Sequence, residues 1–136
     1  MGRVLALDPG TRRIGVAMSD PLRITAQPFD VFDADAGDLM DRIRSVAAEH
    51  DVEQIVVGLP VSLDGGEGPA AAAARRFADR VAETTGLPVD MQDERFSTVT
   101  AERVLLEAGM RRERRRRARD RVAAAVFLQS YLDAAR

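Results

Sequence analysis

Three acidic residues, far apart in the chain, stand at positions where carboxylates could act together. Asp8 closes the apolar run Val4-Leu5-Ala6-Leu7 and is followed by Pro9 and Gly10, a turn whose glycine lets the backbone approach a ligand closely. Glu94 lies in Asp93-Glu94-Arg95, just past an expected strand end and before an expected helix start. Asp120 sits among arginines, and Ala123, Ala124 and Phe127, three, four and seven residues on, fall on its side of a helix. A carboxylate on the sheet-facing side of a helix is unusual unless something offsets its desolvation. Each acid alone has a plain structural explanation: a turn, a loop salt bridge or cap, a pairing with a neighbouring Arg. All three together, without His or Cys, would instead suit a hard cation with oxygen ligands, Mg2+ or Mn2+.

The rest of the composition narrows the chemistry by exclusion. There is no Cys, which removes disulfides, thiolate metal sites and Cys nucleophiles. The single His, His50, argues against His-based metal sites and triads. All 20 basic residues are Arg, so a Walker-type phosphate loop, a Schiff base and a Lys general base are excluded. The formal net charge of -2 conceals two opposed stretches. Residues 30–53 carry eight acids against Arg42 and Arg44, whereas residues 111–121 carry eight Arg against Glu113 and Asp120. The second stretch is a candidate anion-binding element. With 136 residues, 46% of them hydrophobic, the chain suffices for one domain with its own core. No apolar run approaches about eighteen residues and the start MGRVLALD has no signal-peptide core, so a cytoplasmic protein with no membrane partner is expected.

The acids need elements to hold them. Residues 3–8 and 14–18 read as strands close enough to form a hairpin, and residues 23–29 as a third strand that Pro28 marks as short or near an edge. From Asp38, the expected N-cap, Leu39, Ile43, Val46 and Ala47 share a helical face. Residues 54–60 form a continuous apolar run ending at Pro60, as in a central buried strand. Pro69 opens a helix that runs to about Thr85 with Phe77, Ala78 and Val81 inward, and Gly86 stops it. Residues 87–91 read as a last strand, followed by a helix from Ser97 or Thr98 to Ala108. The Arg-rich residues 111–121 are expected to be a mobile loop beside the site, with the final helix starting at Asp120 and reaching about Ala135. The order β-β-β-α-β-α-β-α-α suggests a mixed sheet with helices on both faces. In such a sheet Asp8 and Glu94 would meet at the carboxyl ends of strands.

Four segments in this order carry a resemblance. They are Leu7-Asp8-Pro9-Gly10-Thr11-Arg12-Arg13-Ile14-Gly15-Val16-Ala17; Val57-Gly58-Leu59-Pro60 with Asp64-Gly65; Asp93-Glu94-Arg95-Phe96-Ser97-Thr98; and Asp120 followed by Ala123-Ala124 and Leu128-Gln129-Ser130-Tyr131-Leu132. Together they closely resemble the YqgF/RuvX family, the Holliday junction resolvase-like proteins or pre-16S rRNA nucleases, over about residues 3–133. The resemblance implies an α/β, ribonuclease H-like fold, a five-stranded mixed sheet flanked by helices, in a single nuclease domain spanning residues 1–136. It also implies that Asp8, Glu94 and Asp120 are the catalytic acids. The family usually carries Lys as well as Arg before the last acid; here there is Arg only, with Ala118 two before it. Arg keeps its proton, so this segment can pair with phosphates but not shuttle protons.

The implied chemistry is phosphodiester hydrolysis. Two divalent ions about 4 Å apart activate water on one side of the phosphate and stabilise the leaving oxygen on the other. Asp8 would bridge them, with Glu94 and Asp120 completing the shell. Arg95 is the nearest candidate for a phosphate contact, and Thr11, Ser97 and Thr98 would donate hydrogen bonds at turns and helix N-termini. Arg114, Arg115, Arg116 and Arg117 would meet the substrate backbone, Asp64 would lie at the rim, and Asp93 would point away to serve a turn or cap. The leading expectation is a nuclease of structured RNA, which the resemblance links to maturation of the pre-16S rRNA 5′ end. Its partners would be RNA and ribosomal precursor particles, with the protein a monomer or weak homodimer. A Holliday junction resolvase acting on branched DNA is the alternative enzyme, and two matched cuts would call for a symmetric dimer. A non-catalytic nucleic-acid-binding or ribosome assembly factor would have no use for all three acids. A nucleotidase of the actin or Hsp70 type, suggested by Asp8-Pro9-Gly10-Thr11, needs two such domains. One Tyr, five Phe and no Trp favour backbone and shape recognition over base stacking.

Overall fold

The apolar runs become five strands: β1 (Arg3–Pro9), β2 (Arg13–Ser19), β3 (Ala26–Asp33), β4 (Val52–Leu59) and β5 (Val89–Asp93). The computed structural model describes residues 2–60, 68–93 and 112–135, apart from the side chains of 112–116. The strands form one sheet in the order β3-β2-β1-β4-β5. Short connections make β1, β2 and β3 antiparallel neighbours. β4 runs parallel to β1, and β5 parallel to β4, so the sheet is mixed. β1, β4 and β5 therefore end at the same edge, with Leu7 beside Val57 and Leu59 beside Asp93.

Three helices cover the sheet among the described residues: α1 (Leu39–Glu49), α2 (Pro69–Thr85) and α3 (Arg112–Ala134). Because strand side chains alternate, each strand serves both faces. Leu5, Leu7, Val16, Ile55 and Val57 turn to α1 and α2 and pack with Ile43, Phe77 and Val81. Val4, Ala6, Ala17 and Val56 turn the other way and pack with Ala124, Phe127, Leu128 and Leu132 of α3. Pro69 occupies the first turn of α2, and Gly86 ends it in the left-handed conformation, at φ 71°, where a side chain would be strained. Asp38 precedes α1 as expected, but its carboxylate makes no capping bond; its backbone oxygen accepts the Arg42 N–H instead.

β3 runs on to Asp33 rather than ending at residue 29 and β5 spans Val89–Asp93 rather than 87–91, and two further boundaries differ for a visible reason. β3 begins at Ala26 rather than at residue 23, because the Asp20 carboxylate accepts the N–H groups of Ile24 (2.7 Å) and Thr25 (2.9 Å) and folds residues 20–25 into a loop. The Thr25 N–H is the main reason that the Asp20 carboxyl is held below its ordinary value. The second difference bears on the site. The Arg-rich stretch is not a loop leading to a helix at Asp120: α3 is already helical from Arg112. Arg is a good helix former, and no Gly or Pro interrupts the chain after Gly109, so charge density alone does not break the helix. Asp120 consequently lies inside α3, more than two turns from its start. The helix expected from Ser97 or Thr98 to Ala108 lies outside the described residues.

Candidate active site

Asp8 is the penultimate residue of β1 and is partly buried. It shares the parity of Val4 and Ala6, so its side chain is on the α3 face. Its cross-strand partner on β2 is Gly15. A Cβ at Gly15 would collide with the backbone carbonyl of Asp120 and lie 3.5 Å from Cβ of Ala124. The backbone of α3 therefore rests directly on β2, next to Asp8, and only glycine permits this approach. Two residues earlier on the same face of β2, Arg13 donates from Nε to Oδ2 of Asp120 at 2.5 Å. Both side chains are only partly exposed, 26% and 22%, which strengthens a charge-assisted bond relative to one in open water. Arg119 Nε is 4.0 Å from the other carboxylate oxygen, Oδ1.

Two of the three expected acids are thus gathered at one end and on one face of the sheet. The third, Glu94, lies outside the described residues, as do Arg95, Ser97, Thr98 and Asp64. Among the described residues no three acids or histidines come close enough to hold a metal ion. Asp8 and Asp120 offer carboxylate oxygens alone, a donor type that fits Mg2+ or Mn2+. The single His is elsewhere: His50 meets the Phe29 ring edge-on and its backbone oxygen accepts from Arg3, the first residue of β1. Asp93 points away from the face that carries Asp8, as expected, and the residues it was expected to cap lie outside the described residues. It is the last residue of β5 and shares the parity of Val89 and Met91, which pack on the α1–α2 side.

Thr11 and Arg12 form the tip of the β1–β2 hairpin, closed by a 2.9 Å bond from Gly10 N–H to the Arg13 oxygen. Beside this tip is a recess of about 390 Å3 lined by Thr11, Arg12, Arg13, Asp33, Asp35 and Arg117. It unites two residues expected to touch substrate, Thr11 and Arg117, with two that the sequence reading passed over, Arg12 and Arg13. The missed signal was parity: Arg13, Gly15 and Ala17 alternate onto one face of the first antiparallel hairpin. Asp33 and Asp35 bring part of the acidic stretch to the same rim. Arg114, Arg115 and Arg116 belong to α3, but their side chains lie outside the described residues.

The mixed sheet with a long helix across one face defines the class: an α/β protein of ribonuclease H-like fold. Over 99% of this chain it superposes on 96% of RuvC from Thermus thermophilus, solved in complex with a Holliday junction substrate, with a TM-score of 0.59 at 17% identity. The chain belongs to the RuvX family, whose model, described as Holliday junction resolvase, matches residues 2–134. A Myxococcus xanthus protein named "Putative pre-16S rRNA nuclease" is 48% identical over 98% of this chain and 89% of its own length. A Geobacillus kaustophilus protein of the same name is 47% identical over 98% of this chain and 99% of its own.

Proposed function

We propose that the protein is a divalent-cation-dependent nuclease that hydrolyses phosphodiester bonds in structured RNA, in the cytoplasm, during maturation of the pre-16S rRNA 5′ end. The observation that carries this reading is the backbone of Asp120 lying against Gly15, the cross-strand partner of Asp8. Family membership and the names of relatives at 47–48% identity support nuclease action and the choice of substrate. Asp8, Asp120 and Glu94, which directly follows β5 in sequence, would hold Mg2+ or Mn2+. Bound ions of this kind supply an activated water and relieve charge on the attacked phosphate. The remaining work falls to the chain itself. Thr11, Arg12 and Arg117, which line a recess shared with Asp33 and Asp35, are assigned to orienting a phosphate. Arg95, Ser97, Thr98 and Arg114 to Arg116 are assigned to the neighbouring substrate backbone. The guanidinium groups hold charge and do not transfer protons.

Cleavage of branched DNA is the second reading, favoured by the family description and by the likeness to RuvC. One experiment separates the two. Purified protein is incubated with labelled precursor 16S rRNA, single-stranded RNA and a four-way DNA junction, each with Mg2+, Mn2+ or EDTA. The proposal expects cleavage of the precursor RNA with a divalent ion and none with EDTA. Cleavage confined to the DNA junction supports the second reading, and binding of RNA without cleavage under any metal overturns both in favour of an assembly factor.

A further inference from the structure

The sheet-facing carboxylate of Asp120 is already held by a cation, and that cation is part of the protein. Arg13 and Asp120 are separated by 107 residues in sequence, yet Nε meets Oδ2 at 2.5 Å. The contact is fixed from both ends. Arg13 is the first residue of β2, its backbone oxygen closing the hairpin turn onto Gly10 and its place in register being opposite Asp33 of β3. Asp120 is fixed by its backbone against Gly15 and by Ala123, Ala124 and Phe127, buried to 2% exposure or less. One hairpin thus carries Asp8 on its first strand, the gap that admits α3 opposite Asp8, and the arginine that grips Asp120. A surface ion pair would not need this arrangement, because long side chains in water find partners without a fixed scaffold.

Resting on the function proposed above, we infer that Arg13 is a positioning residue for the catalytic carboxylate Asp120. It fixes Oδ2, so that the rotamer of the acid is set before any ion arrives, and the cation must bind against the guanidinium charge. Arg13 therefore weakens the resting affinity for the divalent ion while keeping the carboxylate aligned for turnover. Two opposite effects follow from its removal: tighter ion binding, because a competing positive charge is lost, and slower catalysis, because the acid is no longer aligned. A merely structural pair would leave kcat of the folded protein at saturating ion unchanged.

The test uses the full chain and reads ion binding separately from activity. Mn2+ binding is measured by the electron paramagnetic resonance signal of free Mn2+, and kcat on precursor 16S rRNA is measured at saturating Mn2+. Arg13→Gln is expected to lower the Mn2+ dissociation constant by about tenfold and to lower kcat by about tenfold. Arg13→Lys, which keeps the charge but not the fork, is expected to hold the dissociation constant within about twofold of wild type. Should Arg13→Gln not fold, Arg13→Met removes the charge while keeping an apolar stem and serves the same reading. An unchanged or weaker Mn2+ affinity in the charge-removed variant overturns the inference. Asp120→Asn distinguishes the two levels of the argument. If it leaves Mn2+ binding and cleavage intact, the proposed function fails and the role of Arg13 with it; if it abolishes both while Arg13→Gln leaves the affinity unchanged, only the role of Arg13 fails.

Discussion

The two faces of the sheet are built from side chains of different size. Toward α1 and α2, the strands present Leu5, Leu7, Val16, Ile55 and Val57, which interlock with Ile43 and Phe77. Toward α3 the same strands present Val4, Ala6, Gly15, Ala17 and Val56, and the helix answers with Ala123 and Ala124 before its first large residue, Phe127. Large residues hold a helix at a distance with a thick apolar layer; small ones let its backbone come down onto the strands. Only on the thin side can a residue well inside a helix bring a carboxylate beside Asp8. Both faces bury core side chains, and the thin face adds proximity.

The largest expected effect tests what the thin face is for. If Asp8 holds the cation, Asp8→Asn should reduce cleavage by orders of magnitude, while thermal melting shows a folded protein, because the amide keeps the shape of the side chain. A fully active Asp8→Asn protein would break the comparison at its root. Next come the cores themselves. Ile43→Ala on the thick side should cost about 3 kcal/mol and Phe127→Ala on the thin side about 4 kcal/mol in urea titrations. The two should part in activity per folded molecule, which stays near wild type for Ile43→Ala and falls for Phe127→Ala as α3 loses its seat. Equal losses of activity would show that the faces are not specialised.

Gly15→Ala sharpens the same point with a single methyl group. The methyl must displace the Asp120 carbonyl, so a cost of about 2 kcal/mol is expected, together with a loss of cleavage larger than the loss of stability explains. Smaller again is the effect of the arginines. Replacing Arg114 to Arg117 by Gln keeps helix propensity but removes charges, so the slope of log K against log salt, expected near −3 for about four phosphates, should flatten. Binding should weaken alike for all RNA sequences, because phosphate contacts position rather than specify. An unchanged slope with a lowered melting temperature would mean that these arginines serve the fold, for instance by pairing with the acidic stretch.

The smallest effect lies at the far end of α3, where Tyr131 donates to Asp90 Oδ2 of β5 at 2.6 Å. Burial first, and then this bond to a carboxylate, push the phenol up to about 12 from its ordinary 10.0. Between these values the unfolded chain has released a proton that the folded chain keeps. The stability from this contact is therefore complete below about pH 10 and is lost as pH rises toward 12. Tyr131→Phe should cost less than about 1 kcal/mol near neutrality and should remove that alkaline decline, as read by melting curves across the range.

How much of this was legible in the sequence depended on how local the cause was. β1, β2, β4 and α2 follow from alternation, an unbroken apolar run, Pro69 and Gly86, all of which act within a few residues. The start of β3 was not legible, because it turns on the Asp20 carboxylate capturing two backbone N–H groups. The start of α3 was misread because dense charge suggested a loop, although helix propensity pointed the other way. For the candidate site, the place of Asp8 at the end of a strand and of Asp120 on the sheet-facing side of a helix could be read from the sequence. The roles of Gly15 and Arg13 could not, because each depends on a helix more than 100 residues away.

On the proposed function, α3 comes down at Gly15 so that Asp8 and Asp120 serve one cation site. The most direct test is an anomalous difference map from crystals of the wild-type protein grown with Mn2+. Manganese density is expected in contact with carboxylate oxygens of both Asp8 and Asp120. Manganese bound elsewhere, with neither acid touching it, in a preparation that cleaves precursor 16S rRNA, would contradict it.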